Sequence, residues 1–116
     1  MKMNEHEKAI TIFNDLLEVN EWNDAALLNR AESYLTTKKY NQARADYLKL
    51  QSLRPDNPQI YLRFAQIAKA QNEPQEELKN SNLFLKYVDS ESIPETELKK
   101  IQTRIKELES TQNGTP

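Results

Sequence analysis

The segment DAALLNRAESYLTTKKYNQARADYLKLQSLRPDN, residues 24–57, holds two runs of helical periodicity separated by a short polar break. Leu27, Ala31 and Tyr34 fall at i, i+4 and i+7, and Ala43, Tyr47 and Leu50 do the same after the interruption at 36–39. The spacing predicts two antiparallel helices, over 24–37 and 40–53, joined by a tight turn. Moving outward, the pattern returns with a period of 34 residues: Asn23 becomes Asn57, Leu27 becomes Tyr61, Leu28 becomes Leu62, Ala31 becomes Ala65 and Leu50 becomes Phe84. Stepping back one period from Ala43, Tyr47, Leu50 and Leu53 lands on Ala9, Phe13, Leu16 and Val19. A period of this length means that one supersecondary unit is repeated along the chain. The expected helices are therefore 4–20, 24–37, 40–53, 58–71, 75–88 and 93–110.

Local chemistry supports those boundaries. Asn23 and Asn57 can accept the unpaired N–H groups of a first helical turn, and Pro58 stands at a first helical position, where a missing N–H costs nothing. Ser92 and Glu95 form an S-x-x-E capping-box pattern for the last helix. The polar tail 111–116 has no periodicity and is expected to be disordered.

Composition narrows the function classes. The 116 residues include no Cys, one His (His6) and one Gly (Gly114), which removes disulfides, thiolate metal sites, a histidine-based triad and any glycine-rich phosphate loop. No enzyme activity, metal or cofactor is expected. A net charge of −2 provides no overall basic field for nucleic acid, and no apolar run has the length of a membrane span. With no secretory signal in these residues, a cytoplasmic location is the expectation. The charge runs Glu5, Glu7, Lys8 and Lys99, Lys100, Arg104, Lys106, Glu107 read as solvated helix faces, and Glu73, Glu76 and Glu77 as carboxylates favourably placed at a helix N-terminus.

Residues 24–57 resemble a tetratricopeptide repeat (TPR). The large, small, Tyr, Tyr, Ala, aromatic and Pro positions of that family are met by Leu27, Ala31, Tyr34, Tyr40, Ala43, Tyr47 and Pro55. Residues 58–91 form a divergent copy, with Glu77 in place of Ala and Ser81 in place of the aromatic. Residues 4–23 supply only the second helix of a partial copy, and 92–110 a capping helix. The resemblance implies a single all-α domain over 4–110, a right-handed superhelix of antiparallel helix pairs that presents a concave groove to a peptide or partner helix.

By the same resemblance, the groove residues are Leu28, Asn29, Glu32, Gln59, Leu62, Arg63, Gln66 and Lys69. Asn29 and Arg63 stand where carboxylate-binding members of the family hold a peptide terminus, although Gln59 replaces a Lys of that set. The partner is expected to be a protein or peptide, with no nucleic acid and no membrane. An alternative reading follows from helix 4–20, whose Ala9, Ile10, Ile12, Phe13, Leu16, Leu17 and Val19 spread over an arc of about 180°, enough for two neighbours where a single one needs about 100°. On that reading the segment is an oligomerisation or scaffolding element, and Ile10, Phe13 and Leu17 are its surface, covered by a second copy in a homodimer or by further repeats of a longer protein.

Overall fold

The computed structural model describes residues 2–113, and among them every regular element is a helix. In chain order these are α1 (Lys2–Val19), α2 (Asp24–Thr36), α3 (Tyr40–Leu53), α4 (Pro58–Ala70), α5 (Pro74–Tyr87) and α6 (Glu95–Asn113). The chain divides into two compact units, Met1–Pro55 and Asp56–Pro116. In the first, α2 packs against both α1 and α3; in the second, α5 packs against both α4 and α6.

The expected caps form. The side-chain oxygen of Asn23 accepts from the N–H of Ala26 at 3.1 Å, and that of Asn57 accepts from Gln59 at 3.0 Å, with Pro58 opening α4. The capping box at Ser92 does not form. Ser92 donates its hydroxyl and its N–H to the carbonyl of Asp89, closing a loop turn, because Pro94 bars the preceding residue from helical geometry and delays α6 to Glu95. At its other end α6 runs to Asn113, past the expected stop at 110; residues 114–116 of the expected tail lie outside the described residues.

The turns after α2 and α4 repeat with the 34-residue period. Lys38 and Asn72 both have positive φ, 63° and 59°. In the first turn Lys39 N–H donates to Tyr34 and Lys38 to Leu35; in the second Glu73 donates to Ala68 and Asn72 to Lys69. This six-to-one and inner bond pair satisfies the last carbonyls of the helix and requires a left-handed residue at its centre.

The buried positions follow the same period. Ala26, Leu27, Ala31 and Ser33 of α2 correspond to Ile60, Tyr61, Ala65 and Ile67 of α4, all buried. Ala43, Asp46, Tyr47 and Leu50 of α3 correspond to Glu77, Asn80, Ser81 and Phe84 of α5, again all buried. Ala31 and Ala43 have no exposed surface, as close approach of α2 and α3 demands. Arg30 ties the first unit together: its Nε and Nη2 grip Asp46 of α3 at 2.8 and 2.6 Å, and its Nη1 donates to Asn14 of α1 at 2.8 Å. In the second unit Tyr61 of α4 stacks on Tyr87 of α5, with ring centroids 5.5 Å apart.

Ala31→Leu is expected to overpack α2 against its neighbours and lower unfolding free energy by about 1–3 kcal/mol, measured by urea denaturation. Lys38→Gly should raise it by about 0.5–1 kcal/mol because the left-handed turn then carries no Cβ penalty. Asn72→Gly should gain less, since Asn tolerates that conformation better than Lys.

Candidate functional site

Each unit carries its own hollow. In the first, Glu5, His6, Ala9 and Phe13 of α1 face Asn29, Glu32, Ser33 and Thr36 of α2 around a space of about 370 Å³. Glu32 accepts a hydrogen bond from the Tyr47 hydroxyl of α3, which fixes its carboxylate on the wall. His6 is half-buried, with its Nδ1 3.4 Å from the Ser33 hydroxyl. Of the expected groove residues in this unit, Asn29 and Glu32 line the hollow. Leu28 does not, and is 45% exposed.

The second unit holds a hollow of about 180 Å³ with an apolar floor of Leu62, Ala65, Phe84 and Ile101. Gln66 and Lys69 of α4 and Lys100 and Arg104 of α6 edge it. A shallower depression of about 400 Å³ continues from it over Lys69, Lys99, Lys100, Thr103, Arg104 and Glu107. Three expected groove residues, Leu62, Gln66 and Lys69, therefore meet here. Arg63 joins them through a hydrogen bond from its Nη1 to Gln66 Oε1 at 3.1 Å. Gln59, on the first turn of α4, lines neither hollow.

The contribution of α6 is the part that sequence reasoning missed. The sequence alone points to a solvated face for its cations and to a favourable helix-terminus charge for Glu77. Glu77 is instead buried, and both its carboxylate oxygens accept from Arg104, at 2.8 and 2.9 Å. That fork holds the Arg104 guanidinium charged far above any ordinary pH, the hydrogen bonds to Glu77 outweighing the cost of burial. The signal lay in the repeat itself: a carboxylate at the position held by Ala43 one period earlier cannot stay buried without a cation.

The structure also redistributes the apolar arc of α1. Ile10 and Leu17, expected on the self-association surface, are buried, at 8% and 9% exposure, and Phe13 is half-buried in the hollow against α2. The large apolar residues that remain outside are Ile12, Leu16 and Val19, at 58%, 45% and 89%. One half of the arc meets α2, and the other half faces solvent. Trp22, in the turn after α1, is 45% exposed with the Lys49 ammonium 5.4 Å from its ring.

Among the described residues no group of three His, Asp or Glu is placed to hold a metal ion, and no helix is long and apolar enough to cross a membrane. The family model for the tetratricopeptide repeat matches residues 25–57. The chain carries a tetratricopeptide repeat. A DnaJ homolog subfamily C member 3 homolog of Dictyostelium discoideum is 37% identical over 71 residues, which is 61% of this chain and 14% of the relative's length. The chain thus spans about one-seventh of that relative.

Solved structures extend the TPR likeness to 97% of the chain at the level of fold. The Yersinia enterocolitica type III secretion chaperone SycD, in complex with a peptide of the translocator YopD, superposes with a TM-score of 0.80 at 15% identity, over 86% of its own length. The first TPR of Spaghetti (RPAP3), bound to the HSP90 peptide SRMEEVD, superposes with a TM-score of 0.73 at 18% identity, over 84% of its length. The fold is an all-α TPR-like helical repeat.

The two partners of the α5–α6 ion pair differ in exposure, 5% for the Glu77 side chain and 39% for that of Arg104. Arg104→Met strands a buried carboxylate and should cost about 2–4 kcal/mol, whereas Glu77→Gln leaves a cation that can turn to water and should cost about 1–2 kcal/mol. Thermal and urea unfolding of the two variants checks the order.

Proposed function

We propose that the chain is a non-catalytic protein-interaction module that takes an extended acidic peptide segment along α4 and α6. One observation carries this reading: the hollow of the second unit has an apolar floor for one side chain and a cationic edge of Lys69, Lys99, Lys100 and Arg104 for flanking carboxylates. Leu62, Arg63, Gln66 and Lys69 are the contact residues on α4. The acids on α6 do not cancel that edge. Glu95 and Glu97 pair with Lys99 and Lys100 only at 3.5 and 3.6 Å with well-exposed side chains, and such pairs are worth little and exchange readily for a ligand carboxylate. Glu107 lies 3.4 Å from Arg104, whose stronger bonds go to Glu77. Support also comes from the similar folds described with peptides bound, one of them the acidic SRMEEVD.

Asn29 and Glu32 give the hollow of the first unit a different character, with Glu5 adding a second carboxylate, so a cationic or hydrogen-bonding segment suits it better than an acidic one. The exposed Ile12, Leu16 and Val19 favour a second reading beside the first, self-association through α1.

The test is a titration with a fluorescein-labelled SRMEEVD peptide read by anisotropy. Binding should weaken steeply between 50 and 300 mM salt, as expected for exposed cations with a Debye length near 10 Å at 0.1 M. Lys69→Glu and Lys100→Glu should each weaken it by about 3–10-fold, and Arg63→Ala by at least as much where its bond to the peptide is buried. Binding indifferent to all three substitutions, or amide-shift changes confined to α3, would overturn the assignment.

A further inference from the structure

The 34-residue period identifies which face of α1 is open. The buried set Ala43, Asp46, Tyr47 and Leu50 of α3 recurs as Glu77, Asn80, Ser81 and Phe84 of α5, and one period before α3 it falls on Ala9, Ile12, Phe13 and Leu16. On α3 this face meets α2, through Arg30 on Asp46 and Glu32 on Tyr47. On α1 the equivalent face has Ile12 and Leu16 outside, extended by Val19. It is built like a helix–helix contact: its Ala9 and Phe13 edge faces the hollow against α2, and no described helix covers Ile12, Leu16 and Val19.

Its chemistry restricts what can. Ile12 replaces the carboxylate that Asp46 offers to an arginine, and Phe13 replaces the hydroxyl that Tyr47 donates to a carboxylate. A helix like α2 would bring Arg30 and Glu32 against groups that cannot pair with them, and so would lose its polar anchors there. The face suits a largely apolar helix, and the one described charge within its own stripe is Glu5, between Ile12 and Leu16 on the helix circumference and towards the end of the helix.

We infer that this face pairs with the same face of a second copy of the chain, α1 antiparallel to α1 about a two-fold axis at Ile12. This deepens the self-association reading above and rests on it. In an antiparallel two-fold pair, residues whose numbers sum to about 24 face each other when residue 12 lies on the axis. Leu16 then lies against Ala9 of the second copy, large against small, and Ile12 against itself. The flanks agree in charge. Lys8 and Asp15 are seven residues apart, within about 20° on the helix circumference, and lie on the edge of the stripe away from His6 and Leu17. Two-fold symmetry brings like flanks together, so Lys8 of each copy faces Asp15 of the other. The three pairings agree in register within one residue, a rise of about 1.5 Å.

A single helix against a single helix is at the small end of specific interfaces, below about 1,200 Å² in total, so the association is weak. Sedimentation equilibrium of the 116-residue chain from about 10 µM to about 1 mM should show mass rising from monomer toward dimer. Leu16→Glu should abolish the rise with helical circular dichroism retained, since Leu16 is already 45% exposed. Lys8→Glu should weaken the dimer by about 5–20-fold by setting carboxylates opposite one another twice, and Lys8→Glu combined with Asp15→Lys should restore it to within about threefold. A monomer at 1 mM, or a dimer indifferent to Leu16→Glu, overturns self-association through this face altogether. A dimer lost in Leu16→Glu but not rescued by the charge exchange keeps the face and overturns the antiparallel register.

Discussion

A buried carboxylate gripped by a two-pronged arginine occurs in each unit, and much of the arrangement follows from satisfying it. An ion as enclosed as Asp46 or Glu77 is costly unless nearly every lone pair is met, so the helix that carries the arginine is held in one place. In the first unit that helix is α2, and the spare nitrogen of Arg30 reaches α1, so one guanidinium spans three helices. In the second it is α6. The same device is served from the preceding helix in one case and from the following helix in the other.

What could be read from the sequence was whatever depends on the chain near each residue. The period, the paired helices and the Asn caps rest on spacings of a few residues, and they appear as expected. Ser92 misled because its motif ignores Pro94, whose restriction acts on the residue before it. Glu77 misled because a carboxylate near a helix start has a sufficient local explanation, and only the tertiary fold brings Arg104 within reach. The α1 arc shows the limit most plainly. A helical wheel gives its width, but which half is covered depends on where α2 lies, and that placed Ile10 and Leu17 inside and Ile12 and Leu16 outside.

The candidate sites were less legible than the fold for a reason that composition hides. A net charge of −2 is a sum over a chain whose hollows differ in sign, with Glu5 and Glu32 around one and four cations around the other. The side chains on α4 belong to the repeat and were found through it. Those on α6 lie outside any repeat, so no periodic argument reaches them, and only the docking of α6 on α5 turns an ordinary charged helix into one wall of a site.

The main helix contacts within each unit join elements that are consecutive along the chain: α1 with α2, α2 with α3, α4 with α5 and α5 with α6. Bringing such neighbours together closes loops of only a few residues, and the entropy lost in that closure is small. Chains built this way collapse in microseconds to milliseconds, with little time spent as an open, sticky intermediate. Left-handed residues at Lys38 and Asn72 make the reversal within each pair. Neither is a glycine, so each reversal carries a side-chain penalty that is offset by the two hydrogen bonds the turn makes to the last carbonyls of the helix before it.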